Sequence, residues 1–214
     1  IVAIPYSFVS CPMIDSQLLS TEGEPLLLND AQIRYYESFF TPKEAATIFD
    51  QLLEETLWQQ DPITVFGKTY PQPRLTALYA INTKPYSYSG ISMKPKIMTP
   101  LLQKIKHKIA SISEAEFTSV LLNLYRDGKD SNGWHADNEK ELGKNPIIAS
   151  LSFGENRFVH LKHRRNKEDR LKVLLKSGSL LLMEGNTQEH WLHQIAKIAR
   201  PIGPRINLTF RKIM

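Results

Sequence analysis

From Phe117 to the C-terminus, apolar and polar residues alternate with a period of two. The alternation falls in short segments, 118–126, 146–153, 157–162, 171–175, 178–183, 190–195 and 205–212, separated by glycine, proline and charged turns. Side chains alternate across a strand, so this pattern predicts seven strands with no helix between them, as in a sandwich or jelly roll. Earlier in the chain the period is helical. Thr41 as N-cap, Pro42 at the first helical position and Glu44 three residues after the cap spell a capping box. Ala45, Ile48, Phe49, Leu52, Leu53 and Leu57 then form one apolar stripe. A second helix is predicted near Thr99 and Pro100, where Leu101, Ile105, Ile109 and Ile112 recur about every four residues. Between the helices, from Asp61 to Tyr88, Pro62, Gly67, Pro71, Pro73 and Pro85 interrupt runs rich in Val, Thr and Tyr, which predicts strands and exposed loops. Residues 1–23 show no clean period and read as an extension, leaving 24–214 as one domain of mainly β (α+β) class with helices outside a β core.

Composition narrows the setting. The chain has 214 residues, 24.5 kDa, 42% hydrophobic and 23% charged. No apolar run approaches the roughly 20 residues that a membrane helix needs, so no membrane association is expected. The single cysteine, Cys11, rules out an internal disulfide or a thiolate-rich zinc site and fits a reducing compartment, not secretion. That compartment would be the cytoplasm of a bacterium or the nucleus of a eukaryote, with the chain a monomer. A net charge of +5 favours polyanionic partners only modestly. Charge is more concentrated in 160–172, where Lys162, Arg164, Arg165, Lys167, Arg170 and Lys172 face only Glu168 and Asp169. That stretch reads either as a solvated loop or as an edge that contacts phosphates.

Two constellations carry chemistry. In Arg205-Ile206-Asn207-Leu208-Thr209-Phe210-Arg211 every polar residue falls on one face of a strand. Chance gives that spacing on the order of 0.001 times per chain of this composition. Six residues of strand span about 20 Å, so arginines at the two ends can bend inward over a small diacid, with Asn207 and Thr209 completing the hydrogen bonds. The second constellation is Trp134-His135-Ala136-Asp137: if extended, it places His135 and Asp137 on one face, ready to chelate one cation. A third ligand is required. His193 is preferred and His190 is its rival; two histidines and one carboxylate make the facial triad of non-haem iron enzymes. His107, His160 and His163 read as ordinary surface or core residues. Upstream, Asn123 and Tyr125 share a strand face two residues apart.

Taken together these motifs resemble the AlkB-type Fe(II)/2-oxoglutarate-dependent nucleic-acid dealkylases. The resemblance runs from about Glu24 to Ile213 and rests on N-x-Y at 123–125, W-H-A-D at 134–137, P-I-I-A-S-L-S-F-G at 146–154, G-S-L-L-L-M at 178–183, W-L-H at 191–193 and P-R-I-N-L-T-F-R at 204–211. It is similar above all to the DNA-repair branch, through Phe66-Gly67-Lys68, Pro73-Arg74 and Tyr86-Ser87-Tyr88-Ser89-Gly90. The resemblance implies a double-stranded β-helix with Fe(II) on His135, Asp137 and His193. It implies 2-oxoglutarate and O2 as cosubstrates, with Arg205 on the far carboxylate, Arg211 and Asn123 at the metal-side end, and Tyr125, Asn207 and Thr209 around them. It further implies methylated DNA, or RNA, as partner, touched by Phe66, Lys68, Arg74, Tyr86, Tyr88, Asn138 and Glu139. Phe66 would fill the gap left by an extruded base. Asn138 stands where that branch carries a second aspartate, so the base contacts differ there.

Overall fold

The computed structural model describes residues 23–65, 67–82, 86–88, 91–113 and 115–214, with backbone alone for 24, 64–65, 86–88 and 91–93. In chain order its elements are β1 (Glu24–Leu26), β2 (Gln32–Tyr36), α1 (Pro42–Glu55), β3 (Pro62–Val65), β4 (Lys68–Pro71), β5 (Leu75–Ala80), β6 (Tyr86–Tyr88), β7 (Ile91–Met93), β8 (Lys96–Ile97), α2 (Pro100–Ala110), β9 (Ser119–Tyr125), β10 (Asn132–His135), β11 (Ile148–Gly154), β12 (Arg157–His163), β13 (Arg170–Leu175), β14 (Ser179–Glu184), α3 (Thr187–His190), β15 (Trp191–Ile195) and β16 (Arg205–Arg211). Apart from Gly23, the expected N-terminal extension lies outside the described residues.

Most strands form a major sheet of order β1-β2-β14-β11-β16-β9-β5-β8 and a minor sheet of order β10-β15-β12-β13, while β3-β4 and β6-β7 stand apart as two-stranded pairs. One apolar cluster joins the two, with Tyr35, Leu121, Tyr125, Ile148 and Leu181 from the major sheet against Val159, Leu161, Val173 and Trp191 from the minor one. A second cluster packs α1 and α2 on the major sheet's other face, where Ala45, Ile48, Leu52, Leu102, Ile105 and Ile109 meet Leu122, Leu151, Leu180, Ile206 and Leu208. The layers are therefore helices, major sheet, minor sheet: the jelly roll with outside helices that the alternation predicts. The major sheet is covered on both faces, which explains why β9 and β16 are buried at every position.

Three expectations need correction. Eight strands follow Phe117, because β10 forms from Asn132-Gly133-Trp134-His135, a stretch without alternation whose pairing with β15 shifts register. They are not free of helix: a 3-10 turn at Lys140–Leu142 and the short α3 intervene. The α1 stripe is also narrower than Ala45 to Leu57, since the helix ends at Glu55 and leaves Leu57 71% exposed. At the start of α1, the Glu44 amide donates to Thr41 Oγ1 at 3.3 Å and the Thr41 amide donates to Glu44 Oε2 at 2.9 Å, the reciprocal bonds of a capping box. Removing such a cap costs about 1 kcal/mol. Thr41→Ala is therefore expected to lower Tm by about 2–4 °C in a chain of this size, with the rest of the fold intact. An unchanged melting curve would show that the cap is dispensable.

Candidate metal centre

The site lies between the sheets, where strand alternation aims side chains from both into one space. About 480 Å3 of it is not filled by protein atoms, part of that open to solvent. The minor sheet supplies His135 at the end of β10 and His193 on β15, directly paired in register. The major sheet supplies Asn123 and Tyr125 on β9 and Arg205, Asn207, Thr209 and Arg211 on β16. Asp137 follows β10 by two residues and is fully enclosed. One ligand atom from each of His135, Asp137 and His193 lies within 4.8 Å of the others.

The hydrogen bonds prepare these residues as donors to a cation. His135 Nδ1 faces the Gly133 carbonyl at 2.8 Å. A carbonyl only accepts, so Nδ1 carries the proton and Nε2 keeps its lone pair. Burial, only partly opposed by Asp137, holds the His135 pKa below the usual imidazole value. Burial, reinforced by His135, takes His193 down to about 3. Both rings are neutral at pH 7, the form that ligates metal. For Asp137, burial pushes the pKa up, but the adjacent Arg211 cation and its hydrogen bond outweigh it and keep the carboxyl ionised. Arg211 Nη2 donates to Asp137 Oδ1 at 2.6 Å, and the Asp137 amide donates to the buried Gln188 Oε1 at 2.8 Å.

A second cluster of Asp30, His163 and His190 has similar ligand spacing but the opposite preparation. His163 Nδ1 accepts the Asn166 amide at 3.0 Å and the Arg165 amide at 3.3 Å. The ring proton is therefore on Nε2, which points at Asp30 Oδ2 3.4 Å away. A metal on Nε2 would require the tautomer that those two amides oppose. This trio is a clip between the Asp30 turn and β12. His190, the rival third ligand, belongs to it and not to the metal centre.

At the other end of β16, Arg205 is 1% exposed. Its Nη2 donates to Ser152 Oγ at 2.9 Å, while Nε and Nη1 are buried with no acceptor. Its guanidinium lies 5.2 Å from the centre of the Tyr125 ring, and the Arg157 guanidinium lies 5.6 Å from the same ring. Burial lowers the Arg205 pKa to about 10, still a full cation at pH 7. A buried cation with idle donors calls for an anion in the pocket.

This chain is similar to two groups of known proteins. The family model described as "2OG-Fe(II) oxygenase superfamily" matches residues 32–211. The chain belongs to that superfamily. Among its relatives, "Alpha-ketoglutarate-dependent dioxygenase alkB homolog 3" of Bos taurus is 43% identical over 82% of this chain and 64% of its own length. "DNA oxidative demethylase ALKBH2" of Mus musculus is 36% identical over 84% of this chain and 79% of its own length, which makes this superfamily member an AlkB-type protein. The chain spans about two thirds of the length of the alkB homolog 3 proteins, 64% to 66%. The solved structure titled "The structure of OsALKBH1" shares the fold, with TM-score 0.64 at 16% identity over 88% of this chain and all of that one. The two cofactors in the superfamily's description suit the donors found here: two neutral imidazoles and a carboxylate for Fe(II), and a buried guanidinium for a carboxylate of 2-oxoglutarate.

The other expected residues are placed by the contacts they already make. Asn207 and Thr209 line the pocket, but Asn207 Nδ2 donates to Ser150 Oγ and the Leu151 carbonyl, both at 2.8 Å, and Thr209 Oγ1 donates to Asn207 Oδ1 at 3.1 Å. Arg211 pairs with Asp137. Arg74 is buried, donating to Asn123 Oδ1 at 2.8 Å, so it braces the pocket wall and offers little to an incoming strand. Lys68 and Asn138 are exposed, and Glu139 is half-buried, its pKa raised by burial against the pull of Arg211. Phe66 lies outside the described residues, and for Tyr86 and Tyr88 only the backbone on β6 is described. Gln188, Ser152 and the Gly133 carbonyl escaped the sequence reading, because no spacing rule marks a residue that holds a ligand by its amide or its neighbour's carbonyl.

Two measurements test the preparation of the site. Titration of metal-free protein with Mn(II) is expected to show one tight site, lost in Asp137→Ala and kept in His163→Ala; loss in the His163 variant would reverse the assignment of the two clusters. The depressed His193 pKa also predicts a stability effect. The unfolded ring takes its proton near 6.5 and the folded one near 3. Stability of the metal-free protein should therefore be full above pH 6.5 and decline as pH falls toward 3. His193→Gln should flatten that decline in urea unfolding followed across pH; an unaltered profile would refute the shift.

Proposed function

We propose that the protein is an Fe(II)- and 2-oxoglutarate-dependent dioxygenase that removes methyl groups from ring nitrogens of DNA bases, of the 1-methyladenine and 3-methylcytosine type. The observation that carries this reading is the pair of ends of β16. Arg211 orders a metal-ready carboxylate, and six residues away Arg205 holds idle buried donors, a spacing suited to a small diacid laid along the strand. The relatives support it by name, as an alpha-ketoglutarate-dependent dioxygenase and a DNA oxidative demethylase.

In this reading His135, Asp137 and His193 hold Fe(II), which with 2-oxoglutarate and O2 supplies an oxidant able to hydroxylate a C–H bond. Arg205 and Tyr125 take the far carboxylate, and Ser152 keeps the guanidinium aimed. Arg74 holds Asn123 as part of the wall. Leu175, Leu181, Val159 and Ile195 line the pocket and exclude water around the reacting groups. Hydroxylation of an N-methyl group gives a hydroxymethyl amine, whose C–N bond breaks to release formaldehyde and return the nitrogen to the base. The base has to leave its stack to reach so enclosed a centre, which is easiest for lesions that already block pairing. Lys68, Asn138 and Glu139 are the described residues assigned here to hold it, and Phe66 would wedge the gap in a duplex.

The test is succinate and formaldehyde production on methylated single-stranded and duplex oligonucleotides, with a methylated RNA of the same sequence alongside. Turnover on DNA is expected; turnover on the RNA alone would move the substrate assignment. Asp137→Ala should abolish product, while His190→Ala should keep substantial activity. Removing one partner of a buried charge pair costs roughly 2–5 kcal/mol. Arg205→Ala should thus raise the 2-oxoglutarate KM about thirtyfold or more, with Arg205→Lys between. An unchanged KM in Arg205→Ala would overturn the cosubstrate assignment.

A further inference from the structure

The four strands of the minor sheet contain no aspartate or glutamate, yet they hold Arg157, Lys162, Arg170 and Lys172. Alternation sorts them. On β12, Arg157, Val159, Leu161 and His163 are buried, so Phe158, His160 and Lys162 face outward. On β13 the outward set is Arg170, Lys172 and Leu174. Trp134 on β10 adds a ring that is 40% exposed. Rings and cations interleave across this face: Lys162 Nζ lies 4.3 Å from the Trp134 ring centre, and Lys172 Nζ lies 4.4 Å from that of Phe158. Strand register sets His160 beside Lys172, and Lys162 beside Arg170. Burial and Lys172 keep the His160 pKa low, leaving a neutral ring.

A merely solvated sheet face mixes both signs of charge and carries few rings. This one has a single sign, three rings, and a position that starts one residue before the metal-centre residue His135. Three inter-strand steps carry it about 14 Å away from there. Lysines that cover exposed rings protect them at little gain, and base stacking on a ring is the stronger interaction. An arriving strand can therefore take the ring faces while the displaced ammonium groups move to its phosphates.

Resting on the nucleic-acid reading above, we propose that the outer face of the minor sheet, Trp134, Phe158 and His160 with Lys162 and Lys172, is a stacking platform for the single strand flanking the base held in the pocket. It gives the basic stretch 160–172 a part as a sheet face, with bases on rings as well as phosphates on cations.

The experiment compares a methylated pentamer, whose two nucleotides on each side of the lesion are too few to cover the platform, with a 20-mer carrying the same central lesion. Lys162→Glu/Lys172→Glu should raise the 20-mer Kd at least tenfold and reduce the slope of log K against log salt by about 1.4, or 0.7 for each phosphate that no longer meets a lysine. Pentamer turnover should be unchanged. Phe158→Ser should weaken the 20-mer about fivefold with little change in salt slope. A charge-matched control on the helices, Lys43→Glu/Lys104→Glu, should bind as wild type. Equal weakening in this control, or an unchanged 20-mer Kd in the platform variants, overturns the platform. Tryptophan quenching by the 20-mer that disappears in Trp134→Phe supports it, whereas equal quenching and competition by polyglutamate would assign the face to an acidic polypeptide instead. If wild type fails to turn over even the pentamer, the dealkylase reading falls; normal pentamer turnover with unaffected 20-mer binding removes the platform alone.

Discussion

A carboxylate with no access to water has to be neutralised where it stands, and Asp137 is such a group. The guanidinium that does this, Arg211, is itself 3% exposed, so neither charge has water to fall back on. Breaking such a pair by removing one member costs about 3–5 kcal/mol, because the survivor remains buried and unpaired. The pairing also fixes direction. With Oδ1 bound by Arg211 and the backbone amide bound by Gln188, the other oxygen, Oδ2, is left 3.8 Å from His193 Nε2. Charge neutralisation and ligand aiming are thus the same interaction, which ties the minor sheet's loop to the last strand of the major sheet.

That strand does two jobs through the pleat alone. Ile206, Leu208 and Phe210 on one face of β16 pack under the helices, and Arg205, Asn207, Thr209 and Arg211 on the other face the pocket. Burying both faces of a strand ordinarily requires apolar residues on both. Here the polar face is tolerated because each group has a partner or faces a gap shaped for one: Ser150 and Leu151 for Asn207, Asn207 for Thr209, Asp137 for Arg211. Arg205 is the departure, because two of its buried nitrogens meet no acceptor, and unmet donors on a buried cation mark where a ligand belongs.

How much of this could be read without coordinates depends on what a residue contributes. Period-two alternation located seven strands because both sheet faces leave an imprint on residue type, and the Thr41, Pro42 and Glu44 signal marked α1 to the residue. β10 left no imprint: Asn132-Gly133-Trp134-His135 is held by pairing to β15 and not by its own pattern. Of the triad, His135 and Asp137 were legible as a His-x-Asp pair, and the third ligand only as a choice between His193 and His190. What separates the triad from the Asp30, His163 and His190 trio was not legible at all. That difference is a carbonyl facing one imidazole and two amides facing another, and a backbone group has no letter in the sequence. Arg74 misled for a related reason, since an arginine that braces Asn123 reads the same as one that meets a phosphate.

The minor sheet confines inner and outer roles to separate faces, and only register keeps them apart. On β15, Trp191, His193 and Ile195 turn inward while Leu192 and Gln194 turn out; on β12, Leu161 turns inward while Lys162 turns out. A slip of one residue would send His193 to solvent and bring an apolar side chain to the metal centre. The strands are pinned against this at both ends. At one, Trp191 is buried and its Nε1 donates to the Asn29 carbonyl at 2.8 Å, an interaction that only one register permits. At the other, the Arg157 guanidinium donates to the carbonyls of Asp127, Asp130 and Ala196, joining the loops before β10 and after β15. An arginine sealed in the core is costly unless its donors are met, and three carbonyls from two loops meet its two terminal nitrogens only when β12 stands where it does. The same buried cation that flanks Tyr125 therefore sets the register on which the two faces depend, which leaves side chains on the outer face able to vary without moving those on the inner one.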